Sequence, residues 1–293
     1  MTISYGTLYV VATPLGNLED VTLRALRILR EVSLVACEDT RRTARLLAAH
    51  EIRTPTTSYF EHNERWKGGR ILDALREGRD VALVSDAGTP AVSDPGYRLV
   101  RDARAAGLPV VPIPGPSAAI AAVSVSGLPT DRFLFVGFLP ARTAARRRAL
   151  LELAGRIETL VVYESPHRLT ESLSEMAAVL GDREAFLCRE ATKVHEEYLR
   201  GRLGELHDAM AARGEVKGEV VVVVAGAGDA RAAPAAGAPA PDLHELFAEL
   251  TAGGMTRRQA VKEAARRLGR PAREVYRELL GGGDDDTPPS SGV

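Results

Sequence analysis

VALVSDAGTPAVSDPG, residues 81–96, shows the fold in miniature: a short apolar run, then a turn dense in glycine, proline and aspartate. An unbroken apolar run, rather than alternation, is the pattern of a strand covered on both faces. The arrangement recurs on either side. TLYVVA (7–12) runs into Thr13-Pro14-Leu15-Gly16-Asn17, and LPVVPI (108–113) runs into Pro114-Gly115-Pro116-Ser117-Ala118. Further buried-strand runs fall at 33–37, 133–137, 159–163, 184–189 and 219–225. Helical patterns separate many of them. In 19–32, Ala25, Ile28, Leu29 and Val32 occupy one helix face, while 69–77 and 97–106 each end at a glycine, Gly78 and Gly107, fit for a C-cap. Strands alternating with helices predict α/β layers with buried sheets.

The chain has 293 residues, 45% hydrophobic and 26% charged, enough for two globular lobes and a small appendage. Expected boundaries are 1–115 for an N-terminal α/β lobe and 116–228 for a C-terminal one. An Ala/Pro/Gly-rich linker follows at 229–241, then a helical unit at 242–281 and a disordered tail at 282–293. No apolar run is long enough for a membrane span, and the N-terminus lacks the basic stretch of a secretory signal. Two cysteines, Cys37 and Cys188, make no disulfide framework and no metal-ligand spacing, so no metal is expected and a cytoplasmic location is. The formal net charge of −1 is ill suited to a nucleic-acid partner until its distribution is read. Residues 255–277 carry eight cationic side chains against Glu263 and Glu274. Arginine is abundant throughout, so only this clustering is informative.

Glycine and proline turns at strand ends bring backbone N–H and C=O groups close to a ligand, and Asp86 and Ser117 add a carboxylate and a hydroxyl. That set suits a small polar cofactor with an amine, ribose hydroxyls and an adenine edge. Each turn alone also reads as an ordinary strand–helix junction. Neither G-x-G-x-x-G nor GxxxxGK[ST] is present, which removes the usual dinucleotide and nucleoside-triphosphate readings.

Taken in order, VATPLGNLEDVTLRA (11–25), CEDTR (37–41), SDAGTPAVSDPG (85–96), PGPSA (114–118), YESPHR (163–168), CREATKVHEE (188–197) and R-G-x-L (200–203) resemble the tetrapyrrole (corrin/porphyrin) methylase family over roughly residues 6–226. Most of that family has a Gly-Asp-Pro loop where this chain has Ser85-Asp86-Ala87. The family's RNA-modifying branch, which 2′-O-methylates a cytidine in the decoding region of small-subunit (16S) ribosomal RNA, shares the variant. The resemblance implies two α/β/α lobes with S-adenosylmethionine in the cleft between them, a homodimer, and ribosomal RNA or the small ribosomal subunit as partner. It implies cofactor contacts from Pro14, Leu15, Asp86, Ala87, Thr89, Ser117, Ala118, Tyr163, Ala191 and Thr192. Tyr163 reads equally as a core aromatic at a strand end. Methylation of a porphyrinoid or another small molecule is the alternative within the same fold.

Methyl transfer from a sulfonium needs in-line positioning, and a ribose hydroxyl needs a base or a polarising cation. Candidates are Glu38, Asp39 and Lys193; His62 and His195 also titrate in a useful range. Lys193 is one of only four lysines, a compact amine whose pKa can shift, but it also reads as a partner for Glu190, Glu196 or Glu197. Asp39 with Arg41 suits a base and a phosphate clamp, or else a helix N-cap. Phosphate contacts are expected from Arg41, from Arg146, Arg147 and Arg148, and from Arg257, Arg258, Arg266 and Arg273 in a helix-turn-helix-like unit. The 146–148 run reads equally as a solvated helix face. Trp66, between Arg65 and Lys67, is either a stacking platform or a loop anchor.

Overall fold

The computed structural model describes residues 5–60, 62–214, 216–228, 242–252, 255–268 and 270–280. Its elements, in chain order, are β1 (Leu8–Val11), α1 (Leu23–Glu31), β2 (Leu34–Cys37), α2 (Thr40–Ala49), β3 (Thr56–Ser58), α3 (Glu64–Arg76), β4 (Val81–Val84), α4 (Tyr97–Ala105), β5 (Val110–Ile113) and α5 (Ala118–Ser126). They continue with β6 (Phe133–Phe138), α6 (Thr143–Leu153), β7 (Thr159–Glu164), α7 (Leu169–Leu180), β8 (Glu184–Arg189), β9 (Glu197–Arg202), α8 (Leu203–Ala211) and β10 (Val220–Val224). Three helices close the series: α9 (Leu243–Ala252), α10 (Arg257–Arg267) and α11 (Ala272–Leu280). The chain divides into two compact units, Met1–Ala227 and Gly228–Val293.

The first unit contains two sheets. One is wholly parallel, in the order β3-β2-β4-β1-β5. Every side chain of β4 is buried, because α3 and α4 cover one face through Ile71, Leu75 and Leu99 while α1 and α2 cover the other through Ile28, Leu29 and Leu47. Covering on both faces is why the strand sequence does not alternate. The other sheet, β6-β7-β10-β8-β9, is mixed: β6 and β7 run parallel and the remaining pairs are antiparallel. The small residues Ala119, Ala122 and Val123 let α5 pack closely on one face, and Leu150, Leu173, Met176 and Leu206 from α6, α7 and α8 cover the other. The α/β class with two α/β/α lobes is therefore the architecture observed.

Two strands were invisible to the apolar-run criterion. The three-residue β3 has sequence TTS, and β9 (EYLRGR) is a half-buried edge whose side chains alternate between solvent and sheet. The helix expected from residue 19 begins at Leu23, because Thr22 caps it through Ala25 N–H and a 3₁₀ turn occupies Leu18–Asp20.

In the second unit, Leu243, Leu246, Leu250, Ala260, Ala264 and Val275 form a small core shared by α9, α10 and α11. The expected linker 229–241 and tail 282–293 lie outside the described residues. Among the described residues no helix is long and apolar enough to cross a membrane.

Candidate active site

All five strands of the parallel sheet end at the same edge, where open α/β sheets bind ligands. Backbone bonds join the turns leaving β1 and β4: Thr13 N–H donates to Gly88 C=O at 2.9 Å, and Gly88 N–H donates back at 3.0 Å. The Thr13 hydroxyl also donates to Ser85 C=O (3.2 Å), and the Thr89 hydroxyl ties the second turn to the third through Pro116 C=O (3.1 Å). Gly88 has φ +76°, and a Cβ there would stand 3.3 Å from Leu15 Cδ2, so the junction needs glycine.

The turns enclose a cavity of about 360 Å³, lined by Leu15, Asp86, Ala87, Thr89, Ser117 and Ala118. The mixed sheet closes it with Tyr163, Val220 and Val221. A second chamber of about 390 Å³ adds Pro14, Gly16, Arg45 and Lys193, and shares Leu15, Arg42, Asp86, Ala87 and Glu219 with the first. Together they form one cleft, of a size suited to a small-molecule ligand.

The main chamber is acidic. Glu38, Asp86, Asp94, Glu164 and Glu219 line it, and among the described residues Arg42 is the single cation on its lining. Asp86 accepts from Asp39 N–H (3.0 Å) and pairs with Arg42 at 3.5 Å. Burial, opposed by a Ser85 hydrogen bond and reinforced by Asp86 and Glu219, pushes the Asp94 carboxyl up to about 6. Burial raises Glu38 as well, and the charges of Asp86 and Asp94 add to the effect. Glu164 is internally satisfied by Ser165 N–H, the Ser172 hydroxyl and Arg168. Backbone strain concentrates here too. Of five non-glycine residues with positive φ among those described, Ala91 and Ser93 belong to the Asp86–Gly96 turn, and Glu190 and Thr192 to the turn after β8.

The named candidates separate by what they touch. Asp39 caps α2 by accepting from Arg41 N–H (2.8 Å), and the Arg41 guanidinium folds back onto the same carboxylate. Those hydrogen bonds pull Asp39 down to about 2. Lys193 pairs with Glu190 (2.7 Å) and Glu219 (3.4 Å). Burial would lower its pKa, but these carboxylates more than offset that and the net shift is upward. The Tyr163 hydroxyl accepts from Ala119 N–H (3.2 Å), and its ring meets Phe135 and Phe138 edge-on. Ala191 packs with Tyr163 against the cluster under α5; neither it nor Thr192 lines either chamber.

Arg146 requires a correction. It was expected to contact phosphate, but its side chain is 0% exposed and pairs with Glu171 and Glu175 at 2.5 Å each. It faces α7 alongside Leu150, one turn on, and has no surface to offer RNA. Arg147 and Arg148 are exposed, as are Arg41, Arg257, Arg258 and Arg273, His62 and His195; the Arg266 side chain lies outside the described residues. Trp66 is 54% exposed, with Lys67 Nζ and the Arg70 guanidinium 5.0 and 4.9 Å from its ring. Sequence reasoning assigned no role to Ser93, Phe138 or Glu219; these line the main chamber together with Arg42, from the candidate stretch Glu38–Arg42, and Asp94, from the second turn. Asp94 was visible inside the quoted turn; Glu219 arrives from the other sheet with no local signal.

A parallel sheet and a mixed sheet joined over a cleft of glycine–proline turns define a methylase fold, and the chain belongs to the tetrapyrrole (corrin/porphyrin) methylase family, whose model matches residues 7–207. Within it, the chain is similar to proteins named ribosomal RNA small subunit methyltransferase I. The relative from Halalkalibacterium halodurans is 47% identical over 92% of this chain and 93% of its own length. The relative from Pseudomonas aeruginosa is 55% identical over 76% of this chain and 80% of its own length. Among solved structures, cobalt precorrin-4 methyltransferase aligns with TM-score 0.57 at 20% identity, over 74% of this chain and 94% of that one. Diphthine synthase aligns with TM-score 0.57 at 18% identity, over 75% and 90%. At such identities these two show the shared fold. The methyl donor in this family is S-adenosylmethionine. The cleft's donor set fits it: carboxylates for a sulfonium, an amine and a ribose diol, and the N-terminus of α5 at Ser117 for a carboxylate.

Proposed function

We propose that this chain transfers a methyl group from S-adenosylmethionine to the ribose 2′-hydroxyl of a cytidine in the decoding region of small-subunit ribosomal RNA. The observation that carries the reading is the convergence of the Leu15, Asp86 and Ser117 turns on one acid-lined cleft. It occurs in a chain 47–55% identical to two proteins named for small-subunit ribosomal RNA methylation.

The donor supplies an activated methyl carbon, so the protein's work is placement and proton handling. In this reading Pro14 and Leu15 bound the donor's methionine end, Asp86 with Ala87 and Thr89 holds its polar groups, and Ser117, Ala118 and Tyr163 close the pocket. Glu38 and Asp94 are the carboxylates placed to accept the hydroxyl proton: both face the chamber, and both hold protons more tightly than a free carboxylate. Asp39 is a poor base because Arg41 holds it ionised. Lys193 stays an ammonium between Glu190 and Glu219 and acts by positioning that turn. Arg147, Arg148 and the cationic helical unit supply phosphate contacts, and the working form is a homodimer in the cytoplasm.

Mass spectrometry of ribosomal RNA from cells lacking and carrying this chain tests the reading. One small-subunit cytidine should gain a single methyl on its sugar. A methyl on the base, or RNA identical in the two strains, overturns it; sedimentation of the purified chain checks the dimer.

A further inference from the structure

The helical unit contains a cavity of its own, about 580 Å³, that the methyl-transfer chemistry does not use. Its floor is apolar, built from Phe247 of α9, Val261 of α10 and Leu279 of α11. Helical spacing explains the rim. Arg257 and Arg258 stand one turn before Val261 and Lys262 on α10, and Arg273 stands one turn before Tyr276 on α11, so both helices turn cations and an aromatic toward the same opening. Val275 beside them is fully buried and fixes the face that α11 presents.

Two features separate this cavity from an incidental gap between helices. Among the described residues, Arg257, Arg258, Lys262 and Arg273 have no carboxylate within ion-pair distance. The nearby Arg270, by contrast, is paired with Glu278. Tyr276 also leaves 57% of its surface in solvent while lining the cavity, although a tyrosine at a core edge would ordinarily bury its ring. Four cations with no partner among the described residues, around an apolar floor with an exposed aromatic wall, make a site for a flat, uncharged ring carrying an anionic group.

We propose that this pocket holds one unstacked nucleotide of single-stranded RNA, its base against Tyr276 over the Phe247–Val261–Leu279 floor and its phosphates against Arg257, Arg258 and Arg273. A duplex keeps its bases paired and stacked and cannot fill the floor, so the pocket selects looped or unpaired RNA. The proposal rests on the reading of the chain as an RNA methyltransferase and adds which RNA feature its helical unit recognises.

The test uses the full-length protein and a fluorescein-labelled eight-nucleotide single-stranded oligoribonucleotide, with a duplex of equal length for comparison. The single strand should bind at least about fivefold more tightly than the duplex. Tyr276→Ala should weaken single-strand binding by about tenfold, as loss of one base–aromatic stack does. Tyr276→Phe, which keeps the ring, should bind as wild type does, and circular dichroism reports whether each variant folds. Equal affinity for strand and duplex, or a Tyr276→Ala protein that binds the single strand normally, overturns the pocket. Methylation of small-subunit RNA by wild type, both as isolated RNA and within the assembled small subunit, is read in parallel. If it proceeds while Tyr276→Ala binds normally, only the pocket falls; if wild type methylates no RNA at all, the reading it rests on falls first.

Discussion

Among the described residues, five carboxylates line the main chamber of the cleft and one guanidinium faces them, whereas four cations and no carboxylate line the pocket of the helical unit. The contrast divides the labour that an RNA methyltransferase must perform. An acidic chamber favours a sulfonium and repels phosphodiesters, so under the proposed function it takes the donor and admits no more RNA than a ribose edge. Affinity for the polyanion has to be generated where carboxylates are absent. A near-neutral net charge averages over an acid-lined cleft and a cation-lined pocket, and so says little about either.

The contrast breaks most easily at Asp86. Replacing it with alanine removes a charge from both chambers and releases Asp39 N–H and Arg42. Calorimetry should show S-adenosylmethionine affinity reduced about 100-fold, the loss of a charged hydrogen-bonding group, with RNA affinity unchanged. Unaltered donor binding would remove the cleft from the comparison altogether.

Asp94→Asn comes next and is read as stability. The folded carboxyl sits at about 6 against an ordinary 3.8, so the folded state binds the proton more tightly than the unfolded chain does. The sign follows: the cost of ionising Asp94 is absent below about pH 4, grows as the pH rises through about 6, and is constant above. Asparagine, always neutral, should therefore stabilise the protein at pH 8 by on the order of 2 kcal/mol and leave it unchanged near pH 4. Methyl transfer by wild type should rise with pH through the same window if ionised Asp94 takes the proton. Thermal melts of both proteins at the two pH values decide the first point.

On the opposite side, Arg257, Arg258 and Arg273 changed together to glutamine should cost about tenfold in RNA affinity and lower the slope of log affinity against log salt by about 2 for a single strand. Donor affinity should not move. A slope that stays at the wild-type value would mean these cations do not meet phosphates.

How much of this could be read from residues alone depends on how local each feature is. The β1, β4 and β5 turns were legible because an apolar run followed by glycine and proline is a local signal, and all three converge where the cleft lies. The edge strands β3 and β9 were not, since a half-buried strand has no apolar run to find. Arg146 misled because three arginines in a row look alike; its place one turn before the buried Leu150 was the clue that it faces inward. Asp94 and Glu219 share a chamber although they come from different sheets, and no spacing rule reaches across 124 intervening positions.

Lys193 offers the smallest change and the finest discrimination. Its stem lies so close over Gly16 that a Cβ there would come 2.2 Å from Lys193 Cγ. Its ammonium meanwhile spans Glu190 and Glu219. Lys193→Met keeps the stem and deletes only the charge. The lysine side chain is 29% exposed, so the lost pairs should lower stability by less than about 1 kcal/mol. If the residue merely neutralises its neighbours, kcat follows that small change and stays within about twofold of wild type. If it fixes the strained Glu190–Thr192 turn against the donor loop, kcat falls by about tenfold while the melting temperature barely moves, since a misplaced reacting geometry costs rate and not folding. Steady-state kinetics alongside a thermal melt on that single variant therefore separates a surface ion pair from a positioning residue.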